Sequence, residues 1–276
     1  DALPISAIAR GGNIVFADAV SYFFSVWIKG NSAGTATIFL WGNEGTTLIW
    51  QKTVHVTSEN PEVGDSFVSG GLKYQVTGVG DKGTVTFTGL ETANSKKSVT
   101  IPAAVMYKNV SFKVTTVADN ALKKDTQAAT VTIGKNVKTI GKNAFASCTK
   151  LKTVKGGAAV AMIGDSAFSG CNVLTTFPTL SKLQTIGVSA FKGCVRLAKI
   201  TLGTAIKSIG KNAFYGCKNL KKITIKTKKL TKSNVKANAF KNISKKVTVK
   251  CPKSKLKSYS TILLKRGVPY TATFTE

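Results

Sequence analysis

Residues 209–225 read IGKNAFYGCKNLKKITI, and the first nine letters recur upstream as IGKNAFASC (140–148), IGDSAFSGC (163–171) and IGVSAFKGC (186–194). The step between copies is 23 residues each time, through Ile140, Ile163, Ile186 and Ile209. Phe145, Phe168, Phe191 and Phe214 keep it, as do Cys148, Cys171, Cys194 and Cys217, and Leu151, Leu174, Leu197 and Leu220. Two further apolar columns, Val131/Val154/Phe177/Ile200/Ile223 and Val137/Val160/Leu183/Ile206, run in the same register. Columns in common register at a fixed step are the signature of a repeat array.

The array extends both ways with wear. Twenty-three residues before Ile140, VADNAL (117–122) places Leu122 in the Phe column and Asp125 in the Cys column. Downstream, VKANAF (235–240) arrives after 26 residues, so three residues are inserted in the Lys-rich segment 226–234. Terminal units are expected to be atypical because they cap the stack.

A unit of 23 residues cannot enclose a core alone, so each must lay its apolar columns on the next, forming a solenoid. Leu220-x-x-Ile223-x-Ile225 alternates as a strand with one buried face does. LKKITI, LAKITL and LKTVKG are therefore expected as parallel strands of one sheet. The pair Ile206 and Ile209-Gly210 predicts a short extended piece on the opposite wall. The Ala-Phe-x-x-Cys segment is expected to turn the corner as a helical turn entered at Gly.

These words resemble the BspA-like class of bacterial leucine-rich repeats, roughly Leu-x-x-Ile-x-Ile then Ile-x-x-Ile-Gly-x-x-Ala-Phe-x-x-Cys, over residues 117–251. The resemblance implies a curved solenoid on secreted or surface-attached proteins that bind other macromolecules. Periodicity alone establishes only the solenoid.

The remaining chain divides around it. Residues 62–116 alternate with period two in KYQVTG, GTVTFTG, SVTIPAAV and VSFKVTTV, an antiparallel β module expected to cap the first repeat and hide its edge. Residues 1–61 are expected as β structure; AVSYFFSVWI (19–28) reads as a buried strand, and 30–58 resembles the last two strands of a bacterial Ig-like domain. The opening DALPI is what one frame of a common sequencing-adapter end encodes, so residues 1 to about 12 are read as non-native. Residues 252–276 form a C-terminal cap, with Leu256, Tyr259, Leu263 and Leu264 on one helical stripe. The fold class is thus a mainly β solenoid with parallel strands and short helical turns, preceded by antiparallel β modules.

Of 276 residues 43% are hydrophobic, ample for a buried core, and the formal charge is +28. Residues 1–130 hold 11 basic and 10 acidic side chains, leaving 29 and 2 for residues 131–276, a net of about +27. Such a field attracts polyanions without naming one. No apolar run reaches the roughly 18 residues of a membrane-spanning helix. The chain has no initiator Met or leader and is read as a fragment whose address is missing.

Tempting chemistry fails on inventory. The five cysteines lack paired zinc spacing, and four of them fall one per rung, so they read as small buried hydrophobes, as does Cys251. Residues 131–276 hold two carboxylates, Asp165 and Glu276, and no histidine, hence no acid–base pair or nucleophilic triad. His55, the single histidine, reads as a solvent-facing strand residue. The recurring glycines lack the phosphate-loop frame. No catalytic residue, metal or cofactor is expected.

The outward strand residues are the candidate binding face: Lys152, Lys155, Thr176, Lys199, Thr201, Lys221, Lys222, Thr224 and Lys250. Two lysines about 5 Å apart repel by only about 0.8 kcal/mol in water, so a purely solvated, aggregation-resistant face stays open. The near absence of acidic residues, which a solubilising surface would intersperse, favours a face for an anionic partner. Specific nucleic-acid readout is not expected, because the repeat aromatics lie in a buried column rather than among the lysines. Together these observations point to a non-catalytic secreted or cell-surface binding module for a protein or an anionic polymer: wall polymer, acidic glycan or host surface protein. The competing readings are a structural spacer and an accessory region of a larger cell-wall or polysaccharide-active enzyme. Oligomeric state is not legible.

Overall fold

The computed structural model describes residues 60–276 in full and, before them, the backbone of five strands. Two compact units result, 1–60 and 61–276. In the first, Ala7–Arg10 pairs antiparallel with Asn13–Phe16, and Ser25–Lys29, Gly34–Gly42 and Thr47–Val56 form a three-stranded antiparallel sheet. The β structure expected there is present. The orientation of His55 and the burial of 19–28 lie outside the described residues.

The second unit is a β-solenoid of about seven turns with an antiparallel region at its start. Its opening strands, Ser66–Ser69, Leu72–Gly78 and Thr84–Leu90, form an antiparallel meander whose alternation buries Leu72, Tyr74, Val76, Val85 and Phe87. Purely antiparallel pairing, expected through residue 116, stops there. Val110–Val117 lies parallel to Thr84–Leu90 on one side and to Thr139–Ile140 on the other. The reason is directional: a solenoid needs every rung strand to run the same way. The antiparallel hairpin partner Ala104–Tyr107 turns the chain so that Val110–Val117 starts in that direction. A nine-stranded sheet therefore runs from the meander into the solenoid's second wall, continuing through Met162–Ile163, Thr185–Ile186 and Ser208–Ile209.

The first wall starts earlier than the repeat words do. Ser98–Ile101 pairs in parallel with Thr130–Ile133, which pairs with Thr153–Gly156. A second sheet then holds Lys199–Leu202, Lys222–Ile225, Thr248–Lys250 and Thr273–Thr275, all parallel. The single continuous sheet expected from LKKITI, LAKITL and LKTVKG is thus divided in two. Its break falls at the rung carrying Thr176-Phe177-Pro178, joined to the first sheet by one bridge, Thr153 to Thr176. Pro178 has no N–H to donate to a ladder.

Between the walls, the corner is a run of turns and not the helical turn expected. Alternate N–H groups serve different rungs. Ala144, Ala146 and Cys148 donate three residues back, to Gly141, Asn143 and Phe145, whereas Asn143, Phe145 and Ser147 donate to Asp165, Ala167 and Ser169 of the next rung at 2.7–2.9 Å. A helix would keep all these donors within one rung and leave the stack without corner bonds. The alternation is made possible by left-handed residues such as Asn143 (φ 53°) and Ser147 (φ 59°).

The columns inside are continuous. Phe145, Phe168, Phe191, Phe214 and Phe240 stack with ring centroids 5.0–5.3 Å apart and planes within 10°. All five are fully buried, as are the Ile140 and Leu151 columns, and the Val131 column is buried except at Phe177, which is half-buried at the rung of Pro178. At the far end Tyr259 and Leu263 of the helix Leu256–Leu264 are buried and Leu256 and Leu264 half-buried, the stripe read from sequence. The closing strand Thr273–Thr275 was not anticipated.

Candidate binding face

On the strand wall, residues flanking the buried column face outward in two rows. One row runs Ser98, Thr130, Thr153 and Thr176, then Lys199, Lys222, Thr248 and Thr273 on the second sheet. The other runs Thr100, Thr132 and Lys155, then Thr201, Thr224, Lys250 and Thr275. No carboxylate belongs to either row.

Both sheets carry candidate residues, but the break divides them. Lys199 and Lys222 are direct neighbours, both exposed; Thr201, Thr224 and Lys250 are successive neighbours, the threonines half-buried and the lysine exposed. Lys221 stands exposed at the entrance of its strand. Lys155 and Lys152 are exposed on and beside Thr153–Gly156, and Thr176 is the exposed bridge residue. Two basic patches therefore replace a single ridge, the larger on the second sheet. Among the described residues the ion pairs are Lys108–Asp65 at 3.3 Å and Lys253–Glu276 at 3.7 Å, neither of them in the two rows.

The carboxylates and thiols have structural partners instead. Asp119 and Asp165 each accept a backbone N–H from the next rung, from Lys142 at 2.7 Å and Val188 at 2.6 Å. Asp125, in the Cys column of the worn first word, is buried and accepts N–H bonds from Gln127 and Ala128. These roles carry no spacing signal beyond Asp at the variable place of Ile-Gly-x, and sequence reasoning missed them. The thiols of Cys148, Cys171, Cys194 and Cys217 donate to Leu122, Phe145, Phe168 and Phe191 carbonyls of the preceding rung at 2.9–3.1 Å. All five cysteines are free and buried. Burial pushes Cys194 well above the usual thiol range and Cys217 up to about 12, which removes the thiolate needed for reactivity.

Replacing Cys217 by alanine is expected to cost on the order of 1–2 kcal/mol in chemical denaturation, for the lost packing and the lost cross-rung bond. The cost stays small because the Phe191 carbonyl keeps a second donor, the Cys194 N–H at 3.1 Å. A cost well above that range would contradict this role.

The glycines after the Ile column are equally structural. A Cβ on Gly210 would lie 2.5 Å from the Gly187 carbonyl carbon of the rung before, and Gly164 and Gly187 are similarly confined. A shallow cavity of about 200 Å³ between the meander and the first corner is lined by Lys73, Gly89, Lys123, Lys124 and Asp125, whose carboxylate is the one that accepts the Gln127 and Ala128 N–H groups. Among the described residues no three His, Cys, Asp or Glu side chains gather as a metal site, and no helix is long and apolar enough to cross a membrane.

The BspA type leucine-rich repeat region matches this chain in six copies over residues 97–184 and 115–247, more than half its length. The chain belongs to the BspA-type leucine-rich repeat family. The match starts at the rung opened by Ser98, in agreement with the strand pairing. A leucine-rich repeat protein from Bacteroides ovatus is 30% identical with TM-score 0.56, over 68% of this chain and 47% of that one. A leucine-rich cell surface protein from Faecalibacterium prausnitzii is 23% identical with TM-score 0.53, over 70% and 55%. The Treponema pallidum leucine-rich repeat protein is 21% identical with TM-score 0.54, over 71% and 96%. This BspA-type chain spans about half the length of the first two. No curated protein matches it. BspA-type repeat proteins are typically surface or binding modules.

Proposed function

We propose that this BspA-type chain is a non-catalytic, secreted or cell-surface binding module whose strand wall holds an anionic macromolecule. The observation that supports it is the composition of the two outward rows: a lysine or hydroxyl side chain at every rung, lysine at four of them, and no carboxylate. A surface serving only solubility mixes both signs. Residues 62–116 and 252–276 are read as caps that close the ends of the stack, and each also contributes one end rung to this wall, Ser98–Ile101 and Thr273–Thr275.

The test uses the intact chain and a labelled heparin-like polymer. Reversing two paired charges on the wall, K199E with K222E, is expected to weaken binding about tenfold. K142E with K211E, the same charge change on two exposed corner residues, should stay within about threefold. Equal losses would show that the overall field binds and that the wall does not.

A second reading, a spacer that displays another domain or an accessory region of a larger wall- or polysaccharide-active enzyme, draws support from the chain spanning about half of its first structural relatives. A spacer would attract anionic polymers only through its overall field, so that the wall and corner variants lose affinity alike.

A further inference from the structure

Among the repeat words the 23-residue step fails once, at the insertion between Lys222–Ile225 and Val235, and the insertion is rich in lysine. Residues 226–257 contain twelve lysines and no carboxylate. Lys226, Lys228, Lys229 and Lys232 are exposed, whereas Thr227 and Leu230 between them are buried. A lysine-rich loop of ordinary kind would be mobile, and ordering it on a ligand would weaken binding. This one is held in place. The Tyr259 hydroxyl of the cap helix donates to the Thr227 carbonyl and accepts the Leu230 N–H, both at 3.1 Å. Arg266 donates through Nε to the Val235 carbonyl and through Nη2 to the Lys232 carbonyl, at 2.6 and 2.7 Å. Asn234 crosses the loop, donating to the Lys229 carbonyl and accepting the Thr231 N–H at 2.8 Å each.

The same ties fix what lies beside the loop. Tyr259 seats the first turn of the cap helix on the insertion, with Lys255 and Lys257 in and before that turn. On the other side, Lys226 follows directly on the strand that carries Lys222. The insertion thus extends the larger basic patch of the strand wall around the edge of the solenoid.

The chemistry of the cluster narrows the partner. Its one guanidinium, Arg266, is engaged with backbone carbonyls, so the planar forked recognition that suits carboxylates is absent. What remains is a set of compact ammonium charges, which suit phosphate as point charges. Tyr259, the aromatic ring at its centre, is buried and offers no platform for base stacking. Resting on the reading of an anion-binding module, we infer that the insertion and cap helix form the principal seat for a linear phosphate polymer without bases, its phosphates spread over Lys226, Lys228, Lys229, Lys232, Lys255 and Lys257.

The probe is fluorescently labelled inorganic polyphosphate, titrated with the full chain at low salt. K228E/K229E/K232E is expected to lose at least tenfold in affinity, and the neutral K228Q/K229Q/K232Q several-fold. K135E/K138E/K142E, an equal charge change on exposed residues of an earlier rung, should stay within threefold. Thermal unfolding of each variant confirms that these exposed substitutions leave the fold intact. Equal losses in both glutamate variants overturn the site while leaving the binding module standing. A wild-type chain that holds the heparin-like polymer but not polyphosphate overturns the phosphate assignment, and tighter binding of an oligonucleotide of equal charge overturns the base-free assignment. Failure to bind any of the three polymers overturns the binding-module reading as well.

Discussion

Replacing Phe191 by alanine is expected to cost about 3–5 kcal/mol of stability. The ring is fully buried in the middle of the aromatic column. It stacks on Phe168 at 5.3 Å and Phe214 at 5.2 Å and takes the edge of Phe177 at 4.9 Å, with planes 86° apart. Alanine would leave a cavity bounded by three aromatic rings, none of which can move in without leaving its own rung. Each aromatic pair contributes about 0.5–1.5 kcal/mol beyond area burial, so the upper part of the range is expected. In a solenoid each rung touches only its neighbours, and the damage should stay local in hydrogen exchange, centred on the rungs of Phe168, Phe191 and Phe214. Urea denaturation gives the magnitude. A cost below about 1 kcal/mol would mean that the column is not the packed spine described.

Much of this was legible because identical rungs repeat the same physical solution. The Phe, Cys, Ile and Leu columns all proved buried, since a side chain facing inward in one rung faces inward in every rung in register. Where the step changes, legibility fails. Thr130 pairs with Ser98, 32 residues earlier and not 23. The difference of nine accommodates the hairpin Ala104–Tyr107, so no word spacing reveals that first rung. The corner was misread because Gly, Asn and small residues are compatible with a helical turn, and only cross-rung geometry shows alternate N–H groups leaving the chain segment. Pro178 was a readable signal for the break in the strand wall, and the alternation Thr273-Phe274-Thr275 for the last strand. The lysines of the candidate face were identifiable from alternation alone, because polar residues beside a buried column must face out. Their division into two patches depends on the break, and the anchoring of the inserted loop depends on Tyr259 and Arg266, distant from it in sequence.

The second large effect concerns binding and salt. A phosphate polymer lying on about six lysines releases a comparable number of condensed counterions, so its affinity should fall linearly with salt on logarithmic axes, by about a thousandfold between 50 and 200 mM. Surface electrostatics of this kind act within a Debye length, about 10 Å at 0.1 M, which spans roughly two rungs of the ladder. A partner held by apolar contacts or by neutral hydrogen bonds would show little of this dependence. Nothing in the two outward rows offers an apolar alternative, since they consist of Ser, Thr and Lys.

The affinity of the intact chain for an anionic polymer, measured as a function of sodium chloride, therefore tests the central claim most directly. The account predicts tight binding at low salt that weakens steeply and linearly on logarithmic axes. Absence of binding at 50 mM salt, or binding indifferent to salt, would contradict it.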